Sequence, residues 1–339
     1  MSINKVRLGL IGAGGIAEAH INGILAHPDK VECVAMCDVV AENIDKRAKQ
    51  LGAEPVRFSD WKTMFTTLGD KLDAVVICLP HHLHAPAILD AAAAGRHVLC
   101  EKPMCLNLVE ADKIVDAVKR AGIVYMSAHQ QLFSPAVRAV KTMIDSGRVG
   151  RLMWLRVIDA HRAGADAFAN KWRAKLASQG GGELIDTGYH PTYQLLYLAG
   201  AEVVSVRATM GRFLHPIEGE DTASVQVRFG NGAIGEIFTS WATPRPYGAP
   251  DIHVIGDKGE AWCRGWDVGF VALGSDKPEL TVVEGKHAFH EQMGHFADCI
   301  LNGAKVPHGP EMGREVLRVI LDASANADGW QAAAPVASS

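Results

Sequence analysis

The run Gly12-Ala13-Gly14-Gly15-Ile16-Ala17 has the GxGxxG/A spacing of a turn that cradles a dinucleotide pyrophosphate. Gly12 permits the tight turn, Gly14 lets the backbone approach the phosphates, and Ala17 keeps the following helix near its strand. The N-terminus of that helix supplies N–H groups and a positive dipole. Asp38 follows Ala17 by 21 residues. A carboxylate at that spacing accepts hydrogen bonds from the adenosine ribose and repels a 2′-phosphate, which favours NAD and disfavours NADP. The competing reading of Asp38 is a turn cap before the helix beginning at Ala41. Lys46 and Arg47, the nearest bases, fall inside that helix and read as a solvated face. Lys102 stands at the end of a strand, before Pro103. Open α/β sheets place their ligands at such strand ends, where an ammonium can hydrogen-bond a substrate oxygen and stabilise alkoxide character as hydride leaves. A lysine before a strand-stopping proline can equally be plain surface. Asp186 and His190 are four apart and follow Gly180-Gly181-Gly182. On one helix starting near Gly182 they share a face about a turn apart. There an imidazole can take a hydroxyl proton while a carboxylate orients the substrate or steadies the imidazolium; the alternative is a cap or a satisfied core group.

These groups need elements to hold them. The first third alternates strand patterns (Val6–Ile11, Val31–Cys37, 73–79, His97–Cys100 and 123–128) with helical ones (15–26, Ala41–Leu51, 82–94 and 109–121). Continuous β-branched runs separated by helices indicate parallel strands buried on both faces and joined by right-handed crossovers. Residues 1–128 therefore read as an α/β, doubly wound, Rossmann dinucleotide-binding domain. From about residue 151 strands follow one another, at 151–160, 203–210, Thr222–Phe229, 233–241, 252–255 and 260–263. Asn231-Gly232 and Asp257-Lys258-Gly259 supply hairpin turns. Residues 129–339 thus read as a C-terminal α+β domain with a large, mostly antiparallel, open sheet that binds substrate. An uncovered sheet face carrying Phe238 or Trp241 amid polar neighbours predicts a homodimer or homotetramer through that face. The tail 332–339 reads as frayed.

Composition removes other classes. At 339 residues the chain exceeds what one core serves, and 48% hydrophobic with 21% charged residues is ordinary for a globular protein. A formal charge of −4 gives no general attraction to nucleic acid or to an anionic membrane. The start runs straight into a strand pattern without a signal-like apolar region, and no stretch is long enough to span a bilayer, so the expected location is cytoplasmic. The seven cysteines include no CxxC pair and read as reduced thiols. His81, His82 and His84 are too closely spaced to converge on one ion and have no nearby carboxylate, so no metal is expected.

Glu101-Lys102-Pro103, preceded by Gly95-Arg96-His97-Val98-Leu99-Cys100, and the stretch Gly180 to His190 join the N-terminal glycine turn in a pattern that resembles the Gfo/Idh/MocA family, the glucose-fructose oxidoreductase and inositol dehydrogenase group. The resemblance covers essentially the whole chain, in order and with fitting spacing. It implies an NAD-dependent dehydrogenase acting on CH–OH groups of a sugar, cyclitol or related polyol. Lys102 of the EKP motif, with Asp186 and His190 of the DxGxH motif, would be catalytic: His190 as general base, Lys102 polarising the reacting oxygen, Asp186 orienting it. The cofactor-binding set becomes Gly12, Gly14, Gly15, Ile16, Asp38, Pro80, His84, Glu101 and Lys102. Pro103 matches a position of unusual X-Pro geometry. Trp172 and Arg173, with Gln130, fall on the substrate side, where an aromatic and a fork of donors suit a polyhydroxylated ring; the competing reading packs Trp172 under the sheet. Three departures bear on the substrate more than on the reaction. Tyr193 replaces a frequent Asp, His81 follows Pro80 where Asn is common, and His129-Gln130-Gln131 stand where an Arg is common. Two rival readings are a non-catalytic NAD-binding regulator of the same fold and a dehydrogenase of nucleotide sugars or dihydrodiols.

Overall fold

The computed structural model describes residues 4–168 and 171–328; the tail 332–339, expected to fray, lies outside them. The chain divides into two compact units, 1–130 with 286–314 and 131–285 with 315–339. Each is described by itself.

In the first unit, β1 (Val6–Ile11), β2 (Val31–Cys37), β3 (Val56–Phe58), β4 (Ala74–Ile77), β5 (His97–Cys100) and β6 (Tyr125–Ser127) form a parallel sheet in the order β3-β2-β1-β4-β5-β6. The helices α1 (Ala17–Leu25), α2 (Ala41–Leu51), α3 (Trp61–Leu68), α4 (His84–Ala93) and α5 (Leu108–Ala121) connect the strands. Every side chain of β4 is fully buried, as a sheet covered on both faces requires. The order reverses between β1 and β4, and the chain at the ends of these two strands is where such a sheet receives a ligand. The helix Ala288–Leu301 packs on α1 at Gly23, where an added Cβ would lie 3.0 Å from the Phe289 carbonyl oxygen. Lys30 pairs with Asp298 at 2.8 Å on the same contact. Residues 286–314, which the sequence division places in the second half, therefore belong to the first unit.

The second unit contains α6 (Pro135–Asp145), β7 (Leu152–Ala160), α7 (Leu176–Gln179), α8 (Glu183–Asp186), α9 (Tyr189–Ala199), β8 (Val203–Gly211), β9 (Thr222–Phe229), β10 (Ile234–Ser240), β11 (Ile252–Gly256), β12 (Gly259–Arg264), β13 (Asp267–Ala272) and β14 (Glu279–Val282). Its eight strands run β14-β13-β12-β11-β7-β10-β9-β8, all antiparallel except the β7–β10 pair. Alternation sends Leu155, Val157, Val225, Ile237 and Val254 to a buried face that α9 covers, and Trp154, Arg156, Phe238, His253 and Trp262 to the other. Trp241 departs from expectation. It shares the parity of the inward residues Ile237 and Thr239, is 3% exposed, and packs against Phe168 and Ile217 rather than on the open face. Its indole Nε1–H donates to Thr187 Oγ1 at 2.7 Å.

Among the described residues no helix is long and apolar enough to cross a membrane.

Candidate active site

The glycine turn is locked from below. Gly12 has φ +86°, and a Cβ there would lie 2.3 Å from the Cys78 carbonyl oxygen at the end of β4, so only glycine closes this turn. A Cβ on Gly14 or Gly15 would meet nothing within 4 Å, and no side chain caps the start of α1. Open space beside uncapped helix N–H groups fits the pyrophosphate of a dinucleotide. Asp38 stands at the end of β2, half-buried, and braces the turn: its carboxylate accepts from the Ala13 N–H at 2.7 Å, the Val40 N–H at 2.8 Å and the Asn43 amide at 3.3 Å. A carboxylate has about four acceptor sites, so a brace with three donors leaves Asp38 room for a further donor. Arg47 is a correction to its reading as part of a solvated face. It is buried, with Nε 3.4 Å from the Ala13 carbonyl and Nη1 on Glu18 at 3.0 Å and Gln50 at 2.6 Å. The signal was in the sequence: Arg47 falls three residues after Ile44 and one before Ala48, on the stripe that α2 buries.

A second cluster lies at the ends of β4 and β5. Lys102 is half-buried and follows the buried Glu101; the Lys102–Pro103 bond is cis. Glu101 accepts the Lys102 N–H at 3.2 Å and faces His20 Nε2 at 2.8 Å. His84 is fully buried at the start of α4, with Nδ1 2.6 Å from the Pro103 carbonyl and Nε2 2.8 Å from the Leu79 carbonyl. Burial holds its pKa below the ordinary imidazole value, against the pull of the two carbonyls. His84 thus ties the β4 end to the turn that carries Lys102, and Pro80 opens the short 3-10 turn His81–Leu83 that leads into it. Ile16 sits exposed at the head of α1. Gln130 is half-buried at the end of this unit, and its side-chain Oε1 has no hydrogen-bond partner among the described residues. The neighbouring Cys78 and Cys100 thiols are pushed far up by burial and by Glu101, which makes them inert hydrophobes.

The second unit holds the other group. A Cβ on Gly182 would lie 2.0 Å from the Glu220 carbonyl oxygen, so the glycine run allows a backbone crossing that no larger residue permits. Glu220 then accepts the Glu183 N–H on its carbonyl at 2.8 Å and the Leu184 N–H on its side chain at 3.0 Å, which fixes the start of α8. Asp186 and His190 do not sit on one regular helix. α8 ends at Asp186, the Gly188 N–H reaches five residues back to the Glu183 carbonyl at 3.0 Å, and α9 starts at Tyr189. The irregularity falls where Gly188 presses on Thr239 of β10, 2.9 Å from an added Cβ. Asp186 is buried and accepts from Arg173 Nε at 2.9 Å; the half-exposed Arg173 guanidinium lies 5.0 Å from the centre of the Trp172 ring. Trp172 is half-buried in a short 3-10 turn, so the segment expected on the substrate side is joined directly to the expected catalytic carboxylate. His190 Nδ1 lies 2.8 Å from the Tyr193 hydroxyl. Glu183, unremarked in the sequence reading, is wholly buried, and burial raises its pKa far above the carboxylate range although Thr239 Oγ1–H donates to it at 2.5 Å.

The structure therefore groups Gly12, Gly14, Gly15, Ile16, Asp38, Pro80, His84, Glu101, Lys102 and Gln130 in the first unit and Trp172, Arg173, Asp186 and His190 in the second. Among the described residues no group of three or more His, Cys, Asp or Glu is arranged to hold a metal ion.

A family model described as the oxidoreductase family with an NAD-binding Rossmann fold matches residues 6–129, and the GFO/IDH/MocA C-terminal domain model matches residues 137–262. The chain belongs to the Gfo/Idh/MocA oxidoreductases. It is 32% identical over 254 residues to the 1,5-anhydro-D-fructose reductase of Ensifer adhaerens, covering 73% of each chain. The scyllo-inositol 2-dehydrogenase (NAD(+)) of Bacillus subtilis is 27% identical over 313 residues, covering 88% of this chain and 87% of that one. The crystal structure of the WlbA dehydrogenase from Bordetella pertussis in complex with NADH and UDP-GlcNAcA superposes with a TM-score of 0.80 at 27% identity, over 95% of this chain and 96% of that one. This Gfo/Idh/MocA protein is thus an NAD-binding oxidoreductase whose sheet orders agree with the α/β and mostly antiparallel α+β expectations.

Proposed function

We propose that this oxidoreductase removes hydride from a hydroxyl-bearing carbon of a sugar, cyclitol or related polyol, and returns it in the reverse direction. NAD, held at Gly12, Gly14 and Asp38, supplies the hydride acceptor. The CH–OH carbon gives up a hydride and its hydroxyl gives up a proton, leaving a carbonyl. His190 takes the hydroxyl proton on its imidazole. Lys102 supplies an ammonium that stabilises negative charge building on a substrate oxygen. Asp186, already held by Arg173, orients neighbouring hydroxyls, and the Trp172 face offers a platform for the apolar side of a ring. The observation that carries this reading is the Trp172–Arg173–Asp186 chain of contacts: a stacking surface, a fork of donors and a buried carboxylate in direct sequence form a recognition unit for vicinal hydroxyls.

The relatives point the same way, since the similar proteins are named as a reductase of an anhydro-sugar and a dehydrogenase of an inositol. The test is NAD reduction against a panel of aldoses, inositols, sugar acids, UDP-sugars and dihydrodiols. Turnover with a free sugar or cyclitol supports the reading; turnover confined to UDP-sugars or dihydrodiols replaces it. The outward face of the second unit's sheet, with Trp154, Phe238 and Trp262 half-buried beside Arg156 and His253, is proposed as the surface of a homodimer or homotetramer. A monomeric mass by light scattering at micromolar concentration would refute that part.

A further inference from the structure

We propose that Tyr193 is a positioning residue that fixes His190 in the tautomer whose Nε2 lone pair receives the substrate proton. The inference rests on the reading of His190 as general base. A neutral imidazole carries one N–H, so a base acting through Nε2 must keep its hydrogen on Nδ1 and give that hydrogen an acceptor. The Tyr193 hydroxyl oxygen lies 2.8 Å from Nδ1. His190 and Tyr193 are three apart on α9, so they project from one face, and their rings meet edge to face at 5.6 Å and 82°.

The phenol is itself held in place. Tyr193 is 0% exposed, and its oxygen also receives the Gln131 backbone N–H at 3.3 Å. The Gln131 side chain accepts from the Gln194 amide, which donates in addition to the His190 carbonyl at 3.2 Å. His190, Tyr193, Gln131 and Gln194 therefore form a closed loop of contacts around the first turn of α9, and the ring cannot rotate without breaking it. When Nε2 takes the proton, the Nδ1–H bond to the phenol oxygen becomes charge-assisted and strengthens as the reaction proceeds. Tyr193 occupies the position where the family often has Asp. The structure gives that departure a function: a neutral acceptor orients the base without placing a second negative charge beside it.

The tautomer can be read directly by nitrogen NMR of protein labelled with 15N-histidine, the His190 signals being assigned by their loss in His190→Gln. With the ring neutral, Nε2 is expected in the unprotonated range and Nδ1 in the protonated range. Tyr193→Phe keeps the packed ring, and is expected to mix the tautomers and lower kcat roughly ten- to a hundredfold, with KM and NAD affinity within about twofold. A protonated Nε2 in the wild type, or an unchanged spectrum and kcat in Tyr193→Phe, overturns the proposal. If Tyr193→Phe fails to fold, the wild-type spectrum decides alone. The base reading has its own control. Retained turnover in His190→Ala refutes that reading, whereas lost turnover combined with a protonated Nε2 refutes only the role of Tyr193.

Discussion

Replacing Asp38 by Ala separates the two tasks that its carboxylate performs. In the folded chain it accepts three hydrogen bonds, from Ala13, Val40 and Asn43, and it is half-exposed. Towards the cofactor, a unit charge about 4 Å from a single phosphate charge costs about 4 kcal/mol at an effective dielectric near 20. Solvent screening at a half-exposed site leaves roughly 2 kcal/mol of that penalty against NADP. One hydrogen bond from a ribose hydroxyl to the carboxylate adds about 1.5 kcal/mol in favour of NAD. Together these give a preference of roughly 300-fold, at about 1.4 kcal/mol per decade. Fluorescence titration with NADH and NADPH should find that preference in the wild type and most of it gone in Asp38→Ala. Asp38→Asn, which keeps an acceptor for Ala13 but no charge, should fall between. A NADH-to-NADPH affinity ratio unchanged within threefold across the three proteins would refute the role of Asp38 in cofactor choice.

Lys102→Met and His190→Ala should each lower kcat by about a hundred- to ten-thousandfold while NADH titration gives an unchanged Kd; a wild-type rate in either removes that residue from the mechanism. Gly182→Ala places a Cβ 2.0 Å from the Glu220 carbonyl, backbone against backbone, and should destabilise the protein by roughly 2–4 kcal/mol, seen as a lower urea midpoint. All seven cysteines are free, and burial pushes Cys33, Cys37, Cys105 and Cys263 up to about 12. Native protein at neutral pH should therefore react slowly with iodoacetamide, and seven thiols should appear only after denaturation. The thiolate fraction rises with pH, so labelling should accelerate only well into the alkaline range.

The doubly wound sheet was legible because β4 is an unbroken apolar run and β1, β2 and β5 are mostly apolar, as strands buried on both faces must be. β3, β13 and β14 escaped notice: three to six residues each, they are too short for their alternation to stand out from the flanking turns. The Asn231-Gly232 hairpin was plain from its turn. The break between α8 and α9 was not, because no residue in the stretch from Gly182 to His190 stops a helix and the close approach of Thr239 to Gly188 comes from a distant strand. Spacing singled out Gly12 and Asp38 as candidates, and the resemblance to the family singled out Lys102, Asp186 and His190. What spacing does not encode is pairing across the chain: Arg173 with Asp186, His20 with Glu101, and the two carbonyls that hold His84. The return of residues 286–314 to the first unit was invisible for the same reason, since it depends on Gly23 leaving room for the Phe289 backbone.

With His190 as base, hydride passes directly from the polyol carbon to NAD. The most direct measurement uses a substrate found in the panel, deuterated at the reacting carbon, with mass analysis of the NADH formed. Deuterium should appear on the nicotinamide in the wild type and be nearly absent over the same interval with His190→Ala. Tight NAD binding with no labelled NADH from any sugar, cyclitol or sugar acid would contradict the account and leave a dinucleotide-binding regulator in its place.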